Sequence, residues 1–297
     1  MYKKMLVLLD GSNLAEVVFT YAQELSGRLC LDLELLHVCS PQEAEQLPMR
    51  RAYLEHMSEI LKANAEKIRS DSGCKPDEKD IQAKGTVVVG YPAEEILKYV
   101  DENDIDIVML STHGRSGVKA WDLGAVASKV IHGSNVPIWL VPTELREDVI
   151  HDKVPRRTIV IPLSGNKPAE VVIPHAIAIA KQRGAESEIA LVYVFDPVTT
   201  SVNMEQIRNI EEQQAMMKKF LDEQVQNIIA QGIPARGEIL MGDPPQAIID
   251  YVKDHPTQLI AMATRGRTGL SRMIFGSVTE NVIHLVKRTP IFLVPSN

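Results

Sequence analysis

An internal duplication, with an offset of about 150 residues, is the feature that most constrains the fold of this chain. The segment 137–142 reads Pro-Ile-Trp-Leu-Val-Pro and returns at 290–295 as Pro-Ile-Phe-Leu-Val-Pro. The segment 110–117 reads Leu-Ser-Thr-His-Gly-Arg-Ser-Gly and returns at 262–269 as Met-Ala-Thr-Arg-Gly-Arg-Thr-Gly. Because the repeated segments keep the same order and spacing, the sequence predicts two copies of one folding unit.

The length of the chain fits two such copies, since 297 residues correspond to two domains of about 150 residues each. We predict a first domain at 1–143 and a second domain at 156–297. The charged segment 144–155 between them is predicted to be a linker.

Each copy alternates apolar runs of strand length with segments of helical periodicity. The first copy is predicted to have strands at 4–9, 31–38, 81–89, 105–110 and 138–141, and helices at 13–27, 49–70, 92–102 and 124–132. The second copy repeats this order from residue 157, with its long helix at about 202–230. Such alternation implies a parallel sheet with right-handed crossovers and helices on both faces. In sheets of this kind a ligand binds at the carboxyl ends of the strands, where the strand order reverses.

A few residues in the helices have expected structural roles. Asn13 and Glu16 have the spacing of a capping box at the start of the first helix. Pro174 should bend or shorten the first helix of the second copy. Met216 and Met217, in the long helix of that copy, are interpreted as core filling.

The segment 262–282 joins a buried strand to a helix through a connection rich in glycine and arginine. The first N–H groups of a helix lack intrahelical partners, and the helix dipole adds partial positive charge there, so the connection suits an anion. Gly276 allows close approach of the backbone, and Ser277 offers a hydroxyl. The alternative is that Ser277 and Glu280, which also have capping-box spacing, only close the end of the helix.

Charge and composition argue against several classes of protein. A net charge of −7 with scattered basic residues disfavours a nucleic-acid surface. No apolar run approaches the roughly 18 residues that a membrane span needs. The three cysteines lack metal-binding spacing and no signal-peptide pattern precedes the first strand, so we expect a cytoplasmic protein.

Taken together, these motifs resemble the universal stress protein family. The resemblance rests on Gly266 and Gly276-Ser277 in the loop, on Gly-x-Pro at 242–244 and on the terminal strand 290–295, and it covers the chain twice. It implies two tandem, five-stranded, doubly wound α/β domains of Rossmann-like type, with ATP binding in some members and none in others. It also implies that the two domains pair through their last strands, and it leaves a homodimer open.

The resemblance assigns nucleotide contacts to both domains. In ATP-binding members the pattern is Gly-x-x-Gly, nine residues and Gly-Ser/Thr, with an acidic residue after the first strand and a backbone contact from the second strand near the adenine end. The positions that match in the second domain are Pro162, Ser164, Val194, Met262, Ala263, Arg265, Gly266, Arg267, Gly276, Ser277, Val278 and Thr279. A weaker site in the first domain is expected from Asp10, Val38, Ser111, His113, Gly114, Gly124 and Ala125.

Neither domain matches the pattern in full. In the first domain Ser111 replaces the first glycine and Ala125 replaces the hydroxyl residue. In the second domain Ala263 stands at the first glycine and Ser164 at the acidic position. The second domain keeps the glycine and hydroxyl at the helix start, beside three arginines. Because charge-assisted hydrogen bonds to phosphate outweigh one bond to adenine, we predict that the second domain binds nucleotide if either domain does.

The leading prediction is a cytoplasmic stress-response protein that binds ATP or a related adenine nucleotide as a sensor or switch, with Mg²⁺ as the usual companion of the phosphates. One alternative is a scaffold or signalling module that has lost its nucleotide sites and acts through protein contacts. A second alternative is a slow ATPase. An enzyme is disfavoured because the loop does not end in Gly-Lys-Ser/Thr and no nucleophile elbow is present.

Overall fold

The computed structural model describes residues 2–71, 80–113, 123–142, 144, 157–165, 167–184, 186–196, 204–264 and 276–296. The chain divides into two compact units, Met1–Asp152 and Lys153–Asn297, which we call unit 1 and unit 2.

Unit 1 contains a five-stranded parallel sheet with helices between successive strands. Its elements are β1 (Lys4–Leu9), α1 (Val18–Leu29), β2 (Asp32–Cys39), α2 (Leu47–Asp71), β3 (Ala83–Val89), α3 (Pro92–Glu102), β4 (Ile107–Ser111), α4 (Ala125–Gly133) and β5 (Ile138–Val141). Short 3₁₀ turns at Ala15–Val17 and Pro41–Gln46 precede α1 and α2. The strand order is β3-β2-β1-β4-β5.

Unit 2 repeats this sheet. Its elements are β6 (Arg157–Leu163), α5 (Lys167–Glu170), α6 (Val172–Arg183), β7 (Ser187–Phe195), α7 (Met204–Ile229), β8 (Ala235–Met241), α8 (Pro244–Asp254), β9 (Thr257–Ala263), α9 (Ser277–Leu285) and β10 (Ile291–Val294). The strand order is β8-β7-β6-β9-β10, again with parallel pairing. The predicted fold class, two tandem doubly wound sheets, is confirmed.

The strand order explains where a crevice opens in each sheet. From β1 the chain proceeds outward to β2 and β3, and then returns to place β4 on the other side of β1. Helices α1 and α2 pack together, as do α3 and α4. With right-handed crossovers, this reversal puts the two pairs on opposite faces. The reversal therefore lies between β1 and β4 in unit 1, and between β6 and β9 in unit 2.

The central strands are apolar over most of their length because both faces of the sheet are covered. Met5, Leu6 and Val7 of β1 are each fully buried. The two last strands differ by one aromatic residue, and both aromatics lie in a core: Trp139 is 1% exposed and Phe292 is 0% exposed. None of the helices formed by the described residues combines the length and apolar character needed to cross a membrane.

The predicted element boundaries agree with the structure to within two residues except at the first helix. Strands β1 and β5 and helix α3 begin and end at the predicted residues, whereas α1 begins at Val18 rather than at residue 13. The capping box of Asn13 and Glu16 is wrong: the backbone N–H of Ala15 donates to Ser12 Oγ (3.2 Å), and Glu16 accepts from the Tyr53 hydroxyl. The chain turns at Ser12, and the cap positions of the 3₁₀ turn and of α1 are Leu14 and Val17, neither of which has a side-chain cap bond.

Pro174 does not shorten the first helix of unit 2 as predicted, because α6 has 12 residues, the same number as the proline-free α1. The segment is split into α5 and α6 around Val171, and Pro174 is the third residue of α6. A proline is tolerated there because the first N–H groups of a helix have no intrahelical acceptor.

The long helix of each unit rests on a glycine of the outer strand. A Cβ at Gly85 would lie 2.6 Å from Leu54 in α2, and a Cβ at Gly237 would lie 3.2 Å from Leu221 in α7. These contacts fix the register of the helix against the sheet. The prediction that Met216 and Met217 both fill the core is wrong for Met216. Met216 is 62% exposed, whereas its neighbour Met217 faces inward onto Gly165.

Candidate functional site

The predicted site residues that the structure describes lie at the carboxyl edges of the two sheets. In unit 2, Ser164 follows β6, Met262 and Ala263 end β9, and Gly276 begins the connection into α9. Pro162 is the penultimate residue of β6 and Val194 the penultimate residue of β7. The strand reversal between β6 and β9 brings these residues to one edge.

Two hydrogen bonds hold the start of α9 against the end of β9. The Gly276 N–H donates to the Thr264 carbonyl (3.3 Å), and the buried Thr279 hydroxyl donates to the Ala263 carbonyl (3.1 Å). The first turn of α9 is thereby fixed at the crevice, with its N–H groups at the amino-terminal end of the helix. This is the local geometry that suits an anion.

Ser277 is the first residue of α9, and Gly276 occupies the cap position. No side chain caps this helix, so the alternative that Ser277 and Glu280 form a capping box is wrong. The Glu280 backbone N–H donates instead to the Gly276 carbonyl (3.1 Å), as in an ordinary helical turn. The Ser277 side chain is exposed at the crevice and is not used to close the helix.

Unit 1 keeps the backbone geometry of this turn but has lost its hydroxyls. The Gly124 N–H donates to the Thr112 carbonyl (3.3 Å), matching the bond in unit 2. Ala125 and Ala127 stand at the positions of Ser277 and Thr279, so neither hydroxyl is present.

The polar groups of unit 1 at the end of β4 bond to one another. The Ser111 hydroxyl donates to the His113 carbonyl, and the His113 backbone N–H lies 3.1 Å from Ser111 Oγ. The His113 ring Nδ1 lies 2.9 Å from Thr112 Oγ1. The Ser111 hydroxyl is thus engaged within its own segment.

After the first strand, unit 1 has Asp10 where unit 2 has Ser164. Asp10 Oδ1 accepts hydrogen bonds from the Ser12 N–H (2.9 Å) and hydroxyl (2.6 Å). Glycine follows in both units in the left-handed region, with φ of 78° at Gly11 and 72° at Gly165. Val38 and Val194 lie next to the residues that pair with the last residues of β1 and β6, which places them at this same edge.

Arg50, which no sequence motif indicated, lies against Gly11, the glycine that follows β1 in unit 1. Its guanidinium occupies the space that a side chain at Gly11 would fill. Arg50 Nη2 donates to Gln46 Oε1 (3.3 Å). Burial, followed by the Glu16 carboxylate, raises the pKa of the Tyr53 phenol, and the nearby Arg50 charge lowers it. In unit 2 the place of Arg50 is taken by Met217, whose Sδ lies 2.9 Å from the Cβ position of Gly165.

A second polar cluster in unit 1 lies near the amino ends of β2 and β3, away from this edge. The Glu34 carboxylate is buried and accepts from the Tyr99 hydroxyl (2.7 Å) and lies 3.1 Å from Lys84 Nζ. Burial is the main cause of the raised pKa of Tyr99. Because these groups satisfy one another beneath α3, the cluster stabilises the fold rather than forming a ligand site.

The predicted residues Gly114, Arg265, Gly266 and Arg267 lie outside the described residues, as do the remainders of both loops. Their contacts with a nucleotide stay predictions. Among the residues that are described, no group of three or more His, Cys, Asp or Glu side chains could hold a metal ion.

Comparison with known proteins identifies the lineage of both units. The sequence model of the universal stress protein family matches the chain twice, at residues 1–142 and 155–295. This chain belongs to the universal stress protein family. The double match confirms the predicted tandem organisation.

Relatives of this universal stress protein include single-domain and tandem proteins. Universal stress protein Rv2005c of Mycobacterium tuberculosis is 21% identical over 298 residues, which cover 96% of this chain and 94% of the relative. Universal stress protein MJ0577 of Methanocaldococcus jannaschii is 27% identical over 154 residues, which cover 48% of this chain and 95% of the relative. The crystal structure of a universal stress protein from Archaeoglobus fulgidus covers 99% of this chain and 98% of its own, with a TM-score of 0.65 at 21% identity. That structure supports the fold.

Proposed function

We propose that this universal stress protein acts in the stress response by binding ATP or a related adenine nucleotide as a sensor or switch, chiefly in unit 2 and without efficient turnover. The observation that carries the proposal is the start of α9, which two hydrogen bonds hold at the strand reversal. Its first-turn N–H groups and the exposed Ser277 hydroxyl are suited to phosphate oxygens. Charge-assisted bonds of this kind are about twice as strong as bonds between neutral groups.

The preference for unit 2 follows from what unit 1 lacks. Ala125 and Ala127 supply no hydroxyl at the start of α4. The Ser111 hydroxyl and the Asp10 carboxylate already bond within their own turns. A nucleotide in unit 1 would have to break these bonds before it gained new ones, so unit 1 binds weakly or is empty.

The test places one negative charge at the same position in either unit of the full-length chain. Ser277→Asp puts a carboxylate at the proposed phosphate position, and we expect ATP affinity to fall at least tenfold because like charges about 4 Å apart repel strongly near a protein surface. An acidic residue in the first turn of a helix is itself stabilising by about 0.3–1 kcal/mol, so the variant should still fold. Affinity and stoichiometry are measured by isothermal titration calorimetry with ATP and Mg²⁺.

Ala125→Asp is the matched control, since it adds the same charge at the first residue of α4. We expect one ATP per chain and unchanged affinity in this variant. If Ala125→Asp abolished binding while Ser277→Asp did not, the assignment to unit 2 would be refuted.

A scaffold that works through protein contacts is the second candidate, and the self-bonded polar groups at the edge of unit 1 favour it for that unit. It replaces the sensor if freshly purified chain releases no nucleotide and ATP does not raise the melting temperature. A ligand present at 100 times its dissociation constant should stabilise the folded chain by about 2.7 kcal/mol. Sustained release of ADP that stops in the Ser277→Asp variant would indicate a slow ATPase instead.

A further inference from the structure

The two units present different side chains to the glycine that follows their first strand. Arg50 of α2 lies on Gly11, and Met217 of α7 lies on Gly165. One turn further along each helix, Leu54 lies on Gly85 and Leu221 lies on Gly237. Because both helices repeat the same pair of contacts, Arg50 and Met217 occupy the same place in the fold.

In unit 2 this place is apolar. The Met217 thioether packs onto Gly165, with Sδ 2.9 Å and Cε 3.2 Å from the Cβ position, and Tyr193 Cε2 lies 3.7 Å from the same point. Phe220 follows three residues later, on the same side of the helix. Because Gly165 has no side chain, Met217 can lie on it, and Met217 and Tyr193 together form an apolar wall at the end of β6.

In unit 1 the same place is polar. Arg50 presents a guanidinium, and the hydroxyl of Tyr53, three residues later, donates a hydrogen bond to the Glu16 carboxylate. Asp10 and Ser12 bond to each other in the adjoining turn. A flat apolar ring would there meet charged and hydrogen-bonding groups whose partners it could not replace.

We propose that Met217 is a specificity-determining residue of unit 2, supplying the apolar wall against which the ring of the ligand packs. This inference rests on the proposed function. Phosphates at the start of α9 lie beside the end of β9, whose neighbour in the sheet is β6. A nucleotide that extends across the strand reversal therefore brings its ring to the end of β6. Thioethers make favourable contacts with aromatic rings, so the exposed side of the Met217 side chain is suited to the face of the ring.

The experiment separates the ring from the phosphates by using adenosine and inorganic tripolyphosphate as separate probes on the full-length chain. Met217→Glu replaces the thioether by a carboxylate of similar length, and we expect its affinity for adenosine to fall about tenfold, because an apolar face of the ring is lost to a charge that must stay hydrated. Met217→Leu keeps an apolar wall and should stay within about threefold of the unaltered chain. Adenosine affinity is measured by ligand-observed NMR titration.

Met216→Glu is the matched control, because Met216 is the adjacent residue and is 62% exposed. It adds the same charge to the same helix without contact with Gly165, so adenosine affinity should be unchanged. Tripolyphosphate reports separately on the phosphate end of the proposed site, at the start of α9.

The outcomes distinguish this inference from the function on which it rests. If Met217→Glu binds adenosine as tightly as Met216→Glu, the role of Met217 as an apolar wall is refuted while nucleotide binding stands. If the unaltered chain binds neither adenosine nor tripolyphosphate, the proposed function and the wall fall together. Thermal unfolding without ligand, equal in both glutamate variants, shows that any loss of binding is not a loss of folding.

Discussion

Replacing Gly85 by alanine should push the long helix of unit 1 away from its sheet. The new Cβ would lie 2.6 Å from the Leu54 carbonyl carbon and Leu54 Cβ, and 2.7 Å from the Leu54 carbonyl oxygen. Carbon atoms make their best contact at about 3.5–4.0 Å, so α2 has to move back by about 1 Å. Two of the three atoms belong to the helix backbone, so rotation of a side chain cannot relieve the contact.

The magnitude follows from two opposing effects. Overpacking of this kind costs about 1–3 kcal/mol, while replacing glycine inside a strand returns about 0.5–1 kcal/mol. We expect a net loss of about 1–2 kcal/mol in the free energy of unfolding. Urea unfolding of the full-length chain, followed spectroscopically, measures this loss.

Gly237→Ala provides the internal control, because Gly237 has the same position in unit 2. Its new Cβ would meet Leu221 Cβ at 3.2 Å and Val225 Cγ2 at 3.3 Å, and both are side-chain atoms. These contacts fall short of the best distance by only a few tenths of an ångström, so a small shift of α7 and of the Val225 side chain relieves them, and we expect a change within about 0.5 kcal/mol of zero. Equal destabilisation by Gly85→Ala and Gly237→Ala would refute the reasoning, since it would mean that the spacing between helix and strand does not decide the cost.

Two further predictions concern buried titratable groups. Tyr99→Phe removes the 2.7 Å bond to the buried Glu34 carboxylate and should lower the free energy of unfolding by about 1–2 kcal/mol in urea titrations at pH 7; an unchanged midpoint would show that Lys4 and Lys84 satisfy Glu34 without the Tyr99 hydroxyl. Burial lowers the pKa of His175, so the unfolded chain binds more protons on acidification; stability is complete above the unfolded pKa of about 6.5 and falls as pH drops below it. His175→Gln should flatten the decline in melting temperature between about pH 7 and pH 5, and an identical pH profile would contradict this.

Local sequence patterns were sufficient for the architecture. The repeats predicted two copies, and apolar runs of strand length or with a 3.6-residue period located the elements. Burial of one stripe of a helix, or of both faces of a strand, requires apolar residues at regular positions in the sequence. The same patterns predicted that a ligand site lies at the carboxyl edge of each sheet, since residues that follow parallel strands must meet there.

Caps were where local reasoning failed. Asn13 with Glu16 and Ser277 with Glu280 have the correct spacing, yet the cap positions are Leu14 and Val17 in unit 1 and Gly276 in unit 2. Whether a side chain caps a helix depends on the residue at which the backbone leaves the helical conformation. Packing of the whole turn against the strand end decides that residue, as the bond between Thr279 and Ala263 illustrates.

The sequence by itself determined the duplication, the order of strands and helices, and the edge at which a ligand could bind. The duplication is visible in repeated segments of the same order, and the elements and the edge depend on residues close together in the chain. Only the tertiary structure decided that Arg50 covers Gly11 and Met217 covers Gly165, and that Met216 beside it faces solvent. Those contacts depend on how a long helix is rotated and seated on its sheet. That seating is set by the space above Gly85 and Gly237, which are distant in sequence from the residues they position.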